Sequence, residues 1–398
     1  MTDRPATGPT LSQRTFEVAP PAVLLFGVGT IAQLGDRVGA LGRRAVLVTD
    51  PGVTAAGVAA TVRAALEAAG IATVVFDGVH ANPTLDDVAQ GAAIVGRGEV
   101  TGTVIVGLGG GSAMDAAKGV ALLATNPGDV RTLDYRNVLA HPALPLVAIP
   151  TTAGTGAETN AFGVITDHEH GNKLYVGNAT AMPVLALLDP ALTVGVPRVA
   201  TANTGMDALT HAVEAMSSRN RNEYADGLSL QVATMVRTWL PLAVADGTDL
   251  EARSQLLLAA HLAGVAMSTG TGQGAAHGIG HALSTRLGVA HGAGLAVVLP
   301  HVMRFNLPLR TAAYARLALA LGVGRVAADD DANALAAIAA VDSLSAEVGT
   351  ARRLADFGLV DDAQVDQIAG DCLADSVTDN APRYPTLDDA RALVAAGR

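Results

Sequence analysis

The stretch GAAHGIGHAL places His277 and His281 four residues apart, and MDALTHAVE places Asp207 and His211 at the same spacing. Residues four apart share one face of an α-helix, so each pair can aim two side chains at one point. A further histidine, His291, follows in VAHGAG. Imidazoles together with a carboxylate suit Fe(II), Zn(II) or a similar borderline cation and leave room for a substrate oxygen. Either pair alone reads equally well as a surface or capping pair. Two pairs plus His291 in one half of the chain favour a metal. His80, His141, His168, His170 and His261 stand in loops or isolated positions.

Phosphate-binding chemistry has two candidate turns. GLGGGSAMDAAK sets Gly109, Gly110 and Gly111 after an apolar run, with Ser112 placed to cap a following helix. Glycines let a backbone approach a pyrophosphate, and a helix N-terminus offers free N–H groups and a positive dipole. FGVGTIA carries Gly27 and Gly29, with Asp50 further on; this fits a dinucleotide fingerprint only superficially, because Asp50 does not close one continuous βαβ unit. A third loop, IPTTAGTGAET, offers the hydroxyls of Thr151, Thr152 and Thr155 to a diphosphate or ribose, with a structural role as the default.

These residues need elements to hold them. AVLVTD, ATVVFDG, GTVIVGLGGG and LPLVAIPTT read as strands separated by alanine-rich helices, which predicts βαβ units and a parallel sheet. From about residue 198 helical periodicities dominate, over 205–217, 222–240, 250–268, 275–285, 311–321 and 331–357. The expected organisation is a Rossmann-like α/β domain over 1–197 and an all-helical domain over 198–398, divided near Pro197. There is no internal repeat.

Composition narrows the function. The chain of 398 residues carries a net charge of −11, which argues against a nucleic-acid partner, since phosphate binding needs a basic face. The single cysteine, Cys372, rules out an intrachain disulfide. MTDRPATGPT carries no signal-peptide core, and apolar runs such as AVLLFGVG are short for a bilayer span, so a cytoplasmic protein free of membranes is expected. Only two of the 26 basic residues are lysines, Lys118 and Lys173. A chain that uses arginine almost everywhere is expected to keep lysine where a compact ammonium is needed, unless the bias is global.

GGGSAMDAAK, IPTTAGTGAE, TGMDALTHAVE and HGIGHAL…AHGAGLAVVLPHVMRFN together, in this order, resemble the iron-dependent (group III) alcohol dehydrogenases over most of the chain. The resemblance implies an NAD(P)-binding α/β domain, a helical metal-binding domain and an active site in the cleft between them. It puts Asp207, His211, His277 and His291 at the metal-ligand positions, and His281 at a non-ligand position near the nicotinamide. His301 matches a motif position without a ligand role. Gly109, Gly110 and Ser112 fall on the pyrophosphate turn, Thr151, Thr152 and Thr155 on a second cofactor loop, and Lys173 beside the cofactor. Asp115 is expected near the cleft with Lys118 as support.

The implied activity is hydride transfer between nicotinamide and a small alcohol or aldehyde, with Fe(II) or Zn(II), in a homodimer or higher oligomer. Asp50, where the adenosine ribose lies in the family, is expected to favour NAD(H) over NADP(H); its bland alternative is to cap the following turn. Arg286, where relatives carry apolar or aromatic residues, is read as facing an anionic group on the substrate, against the bland alternative of an ion pair. Maleylacetate reductase, glycerol dehydrogenase and dehydroquinate synthase share the scaffold; the last needs a basic pocket that this chain poorly supports. A binding protein without turnover is the reading from another class.

Overall fold

The structure is a computed structural model that describes Val18 and residues 22–398; the segment MTDRPATGPT lies outside the described residues. Six strands form one parallel sheet: β1 (Val23–Phe26), β2 (Arg44–Val48), β3 (Ala72–Phe76), β4 (Thr103–Gly109), β5 (Leu146–Pro150) and, after the hairpin β6 (Phe162–Asp167) and β7 (Asn172–Gly177), β8 (Leu185–Leu188). Their order is β1-β8-β5-β4-β2-β3, with all neighbours parallel. The central strands β4 and β5 are buried along their whole length, as continuous Val/Ile/Leu runs covered on both faces must be. Helices α1 (Leu34–Gly39), α2 (Pro51–Ala55), α3 (Val58–Ala68), α4 (Leu85–Gly96) and α5 (Gly111–Leu123) connect the strands.

The connections leave β2 towards β3 on one side and β4 towards β5 on the other. That reversal, between β2 and β4, is where an open α/β sheet forms a ligand crevice at its carboxyl edge. Asp50 just beyond β2 and Gly109 at the end of β4 face each other there. A Cβ on Gly109, whose φ is +146°, would stand 3.1 Å from the Asp50 Oδ2.

No strand follows Leu188 among the described residues. The helical half comprises α6 (Arg198–Ser217), α7 (Glu223–Ala245), α8 (Leu250–Ala266), α9 (Ala275–Leu287), α10 (His291–Ala320), α11 (Asp330–Val348), α12 (Asp362–Ala374) and α13 (Leu387–Gly397). Its core is continuous, from Met206 and Leu209 through Val232 and Val236 to Leu295, Val298 and Leu344. By length and composition α7 passes for a membrane span, longer than the sequence runs suggested. In the fold it lies against α6 and α8 and buries Val232, Val236 and Leu240.

Several elements depart from the expected pattern: β1, β8, α12 and α13 were not among the expected segments, and α10 and the β6–β7 hairpin depart further. α10 runs 30 residues through Pro300 and Pro308, where only 311–321 was expected to be helical. The backbone deviates at Arg310 (φ −133°), two residues beyond Pro308, while the helix packs on α11, α6 and α9. Tertiary packing outweighs the proline penalty. The β6–β7 hairpin was not expected either, because FGVITD and NKLYVG carry little strict alternation.

Candidate active site

α6 carries Asp207, His211 and, one further step along the same face, Glu214. α9 supplies His277 and His281, and His291 is the first residue of α10. The small residues between the histidines let the helices close up. A Cβ on Gly292 would stand 2.1 Å from the Asn203 carbonyl of α6, and one on Gly280 would meet Leu295 of α10 at 2.7 Å. The glycines of HGIGHAL and AHGAG are therefore packing sites that bring His291 and α9 against α6.

The four expected ligands converge. Asp207 Oδ1 lies 3.5 Å from His211 Nδ1, 3.6 Å from His277 Nε2 and 3.8 Å from His291 Nε2. Asp207, His211 and His277 are buried, and His291 keeps 26% of its side chain exposed on the open side. Asp207 Oδ1, His211 Nδ1 and His277 Nε2 are each buried without a hydrogen-bond partner. Orphaned polar atoms cost free energy, and three aimed at one point match the nitrogen and oxygen donors of a borderline divalent cation. The residues fit the metal that the resemblance implies.

Electrostatics agree with tight burial. Burial drives His211 down to about 4 against the pull of Asp207, and drives His291 well below the usual imidazole range. Burial opposes the charged form of Asp207 too, but the surrounding imidazoles hold its carboxyl well below the usual range. Burial disfavours the His277 imidazolium, yet the Glu214 and Asp207 carboxylates outweigh it and hold the group up at about 9.

Glu214 was not anticipated, although Asp207, His211 and Glu214 follow i, i+4, i+7 spacing within MDALTHAVE. Its carboxylate accepts from His277 Nδ1, Gly274 N (2.9 Å) and Ala276 N (2.7 Å). It thus neutralises the N-terminus of α9, which has no side-chain cap of its own, and leaves His277 Nε2 facing Asp207. The Gln273 amide sits 3.2 Å from His211 Nε2 and was likewise missed.

His281 stacks on His291, with ring centroids 5.2 Å apart, but its Nδ1 turns to Asp375 Oδ2 at 2.8 Å. Tyr175 of β7 donates to Asp375 Oδ1 at 2.6 Å. These three residues and Lys173 line one cavity of about 250 Å³, together with Arg136, Asp134, Thr285 and Asp371. Lys173 donates to Asn82 Oδ1 and Thr166 Oγ1; burial pulls its pKa down to about 8 while Asp115 and Asp375 resist.

Arg286 requires a correction. Both arms of its guanidinium are engaged by Asp371, at 2.6 and 3.0 Å, so its fork is not directed at a substrate anion. Such a bidentate pair uses the geometry that would have bound the anion.

The cofactor-side residues gather at the sheet's carboxyl edge. Gly110 lies against Thr152 and Gly111 against Thr155, where added Cβ atoms would meet them at 3.3 and 2.7 Å. Thr151 continues β5 and donates its N–H to the Gly109 carbonyl. Ser112 does not cap α5: the helix begins at Gly111 with Gly110 in the N-cap position and no side-chain cap. That bare N-terminus keeps the properties of an anion site. The rival turn at Gly27 and Gly29 is filled from within, because buried Asp189 accepts from Gly29 N and Ile31 N. Asp50 caps α2 through Oδ1, the alternative weighed for it, while Oδ2 faces Gly109. Asp115 binds Val164 N at 3.1 Å and so ties the hairpin to α5; burial raises its pKa against the nearby Lys118. Lys118 is fully buried and donates to Asn160 Oδ1 and the Phe162 carbonyl, the supporting role expected of it. His301 is half-buried, away from the cluster, and lines a separate groove with Arg304 and Leu393.

Comparison with known proteins settles the family. Residues 21–190 match the model for iron-containing alcohol dehydrogenase, and residues 201–397 that for the Fe-containing alcohol dehydrogenase family, C-terminal. The chain belongs to the iron-containing alcohol dehydrogenase family. It is 38% identical to "Probable alcohol dehydrogenase EutG" of Escherichia coli strain K12, over 97% of this chain and 95% of that protein. It is 36% identical to the 1,3-propanediol dehydrogenase of Klebsiella pneumoniae, over 94% of this chain and 96% of the relative. A solved structure of 1,3-propanediol oxidoreductase superposes with a TM-score of 0.92 at 34% identity, covering 97% of this chain and all of the other. By this membership the chain is an oxidoreductase linking alcohols and aldehydes to a nicotinamide cofactor.

Proposed function

We propose that this chain interconverts short, uncharged aldehydes and alcohols using NAD(H), with Fe(II) held by Asp207, His211, His277 and His291. The observation that carries the reading is the set of three orphaned, buried donor atoms on Asp207, His211 and His277. A nitrogen and oxygen set without sulfur suits Fe(II) and also accepts Zn(II).

When bound, the cation supplies Lewis-acid polarisation of a substrate oxygen and the nicotinamide supplies or accepts hydride. This chain's residues do the remainder. Glu214 fixes His277 in the tautomer that presents Nε2. Thr152, Thr155 and the bare N-terminus of α5 hold the diphosphate, and Lys173 flanks the cofactor. His281, with Nδ1 engaged by Asp375, moves the proton at Nε2.

An uncharged substrate is favoured because Arg136 of the cavity lining pairs with Asp134, Arg286 pairs with the lining Asp371, and Lys173, the remaining lining cation, is assigned to the cofactor. NAD(H) is favoured because Asp50 Oδ2 lies at the switch of the sheet, where a carboxylate accepts ribose hydroxyls and repels a 2′-phosphate. A homo-oligomer fits the apolar edge of β1, where Val23, Leu24 and Phe26 are exposed, and light scattering tests it.

The test of the whole reading is NADH oxidation with a panel of short aldehydes, charged and uncharged, using protein purified without oxygen and reloaded with Fe(II) or Zn(II). Turnover independent of metal, or a preference for succinic semialdehyde over butanal, counts against it. So does equal efficiency with NADPH, or an Asp50→Gly variant that gains nothing with NADPH.

A further inference from the structure

His281 is held in the cleft by groups from other elements. Its side chain is 8% exposed and its Nδ1 faces the Asp375 carboxylate at 2.8 Å. An ionised carboxylate only accepts, so Nδ1 carries the hydrogen and Nε2 is the nitrogen left for the cleft. Asp375 is itself pinned: Oδ1 accepts from the Tyr175 hydroxyl at 2.6 Å and from Val377 N at 3.1 Å. Burial opposes its charge, but the bonds from His281 and Tyr175 prevail and keep its carboxyl below the usual range.

The three residues come from distant parts of the fold. His281 is on α9, Asp375 follows α12, and Tyr175 belongs to the β6–β7 hairpin of the cofactor half. Tyr175 is held in turn by edge-on packing against Tyr135, at 6.4 Å and 90°. One chain of hydrogen bonds therefore runs from the cofactor half across the cavity to the histidine beside His291.

We infer that Asp375 is the positioning residue of His281, and that Tyr175 holds Asp375 in place from the cofactor half. The inference rests on the reading of His281 as the group that moves the proton. Asp375 fixes which nitrogen does so, and Tyr175 makes that geometry depend on the hairpin standing against the helical half. The competing role is structural, because Asp375 also caps the short helical turn at Ser376–Asn380.

The experiment is a double-mutant cycle on the metal-loaded enzyme, with kcat, KM for the aldehyde, bound metal and Tm measured throughout. Asp375→Asn is expected to lower kcat by roughly 10²-fold, the low end of what a positioned proton-transfer group contributes. KM stays within about threefold and bound metal is unchanged, as expected when only transition-state interactions are lost. Tyr175→Phe, which keeps the ring packing, is expected to lower kcat by about tenfold, a fraction of the proton-transfer contribution. In a His281→Ala background, adding Asp375→Asn is expected to change kcat less than about twofold, because the two residues act as a unit.

Equal losses from Asp375→Asn in both backgrounds, or loss of metal in the single variant, would overturn the inference. If Asp375→Asn does not fold, an unchanged kcat in Tyr175→Phe overturns it. A slow His281→Ala enzyme beside a fast Asp375→Asn enzyme sinks this inference alone. A fast His281→Ala enzyme sinks the proton role and the inference together.

Discussion

Glu214 does for His277 what Asp375 does for His281: a carboxylate takes Nδ1 and turns Nε2 to the site. Replacing it with glutamine keeps the shape and removes the charge. Glu214→Gln is expected to weaken metal binding by about 10- to 100-fold in a competitive chelator titration, as loss of an outer-shell partner does. An unchanged affinity would show that Glu214 merely caps α9. Lys173 gives a prediction in pH. Its folded pKa of about 8 lies below the ordinary 10.5, so between those values the folded protein has released a proton the unfolded chain still holds. For this residue alone, folding gains with rising pH in that window, while the ammonium available to a cofactor disappears. NADH affinity is therefore expected to fall as pH rises from about 7 to about 9, the range about that pKa, and to lose this dependence in Lys173→Met. A profile unchanged by the substitution would place Lys173 away from the cofactor. At this scale the sequence was most informative where spacing is local. The i, i+4 pairs showed Asp207 with His211 and marked His277, and the same rule extended to i+7 reaches Glu214. Arg286 was misread because its partner Asp371 lies 85 residues away, beyond any local pattern. Asp375 and Tyr175 were not legible for the same reason, since they meet only when the hairpin folds onto α9 and α12.

Elements explain which larger features were legible. β2, β4, β5 and the helices between them were expected because buried parallel strands are continuous apolar runs between turn signals. The hairpin and α10 were hidden because their structure depends on neighbours: Gly163 of β6 packs on the Asp115 backbone of α5, and α10 holds through two prolines by packing. The same reliance on close packing joins the cofactor loop to the helical half. Gly156, at φ +59°, touches Gly264 of α8, and buried His261 meets Glu158 at 3.0 Å. A Cβ on Gly264 would stand 2.5 Å from Thr159 Oγ1 and 2.7 Å from the Gly156 carbonyl, with backbone on one side unable to yield cheaply. Gly264→Ala is expected to cost about 1–3 kcal/mol of stability, as overpacking does. It should also weaken NADH binding by displacing Thr152 and Thr155, while bound metal stays constant. Measuring Tm, NADH affinity and metal content on one preparation decides it, and metal lost in step with NADH affinity would count against the loop as the affected part.

For the whole molecule, the two ligand sites draw on different halves. The expected metal ligands lie on α6, α9 and α10, and the turns proposed to hold the diphosphate lie at the carboxyl edge of the sheet. A ligand that binds only the folded state stabilises it by mass action, about 2.7 kcal/mol at a hundredfold excess over Kd. Fe(II) or Zn(II) should therefore raise Tm, and NADH should raise it separately. His277→Ala removes a buried donor whose Nε2 lies 3.6 Å from Asp207 Oδ1. It leaves the Glu214 carboxylate without its imidazole but keeps that carboxylate's bonds to Gly274 N and Ala276 N, so α9 retains its cap. The variant is thus expected to fold, to lose the metal-dependent rise in Tm, and to keep most of the rise with NADH. The NADH rise is the internal control, since it shows that the cofactor half stands and that the missing metal response is local to the ligand cluster. A metal response that survives His277→Ala would move the cation off this cluster. Loss of both responses would mean that the cleft, where Tyr175 and Lys173 face His281 and Asp375, couples the two sites more strongly than their separate placement implies.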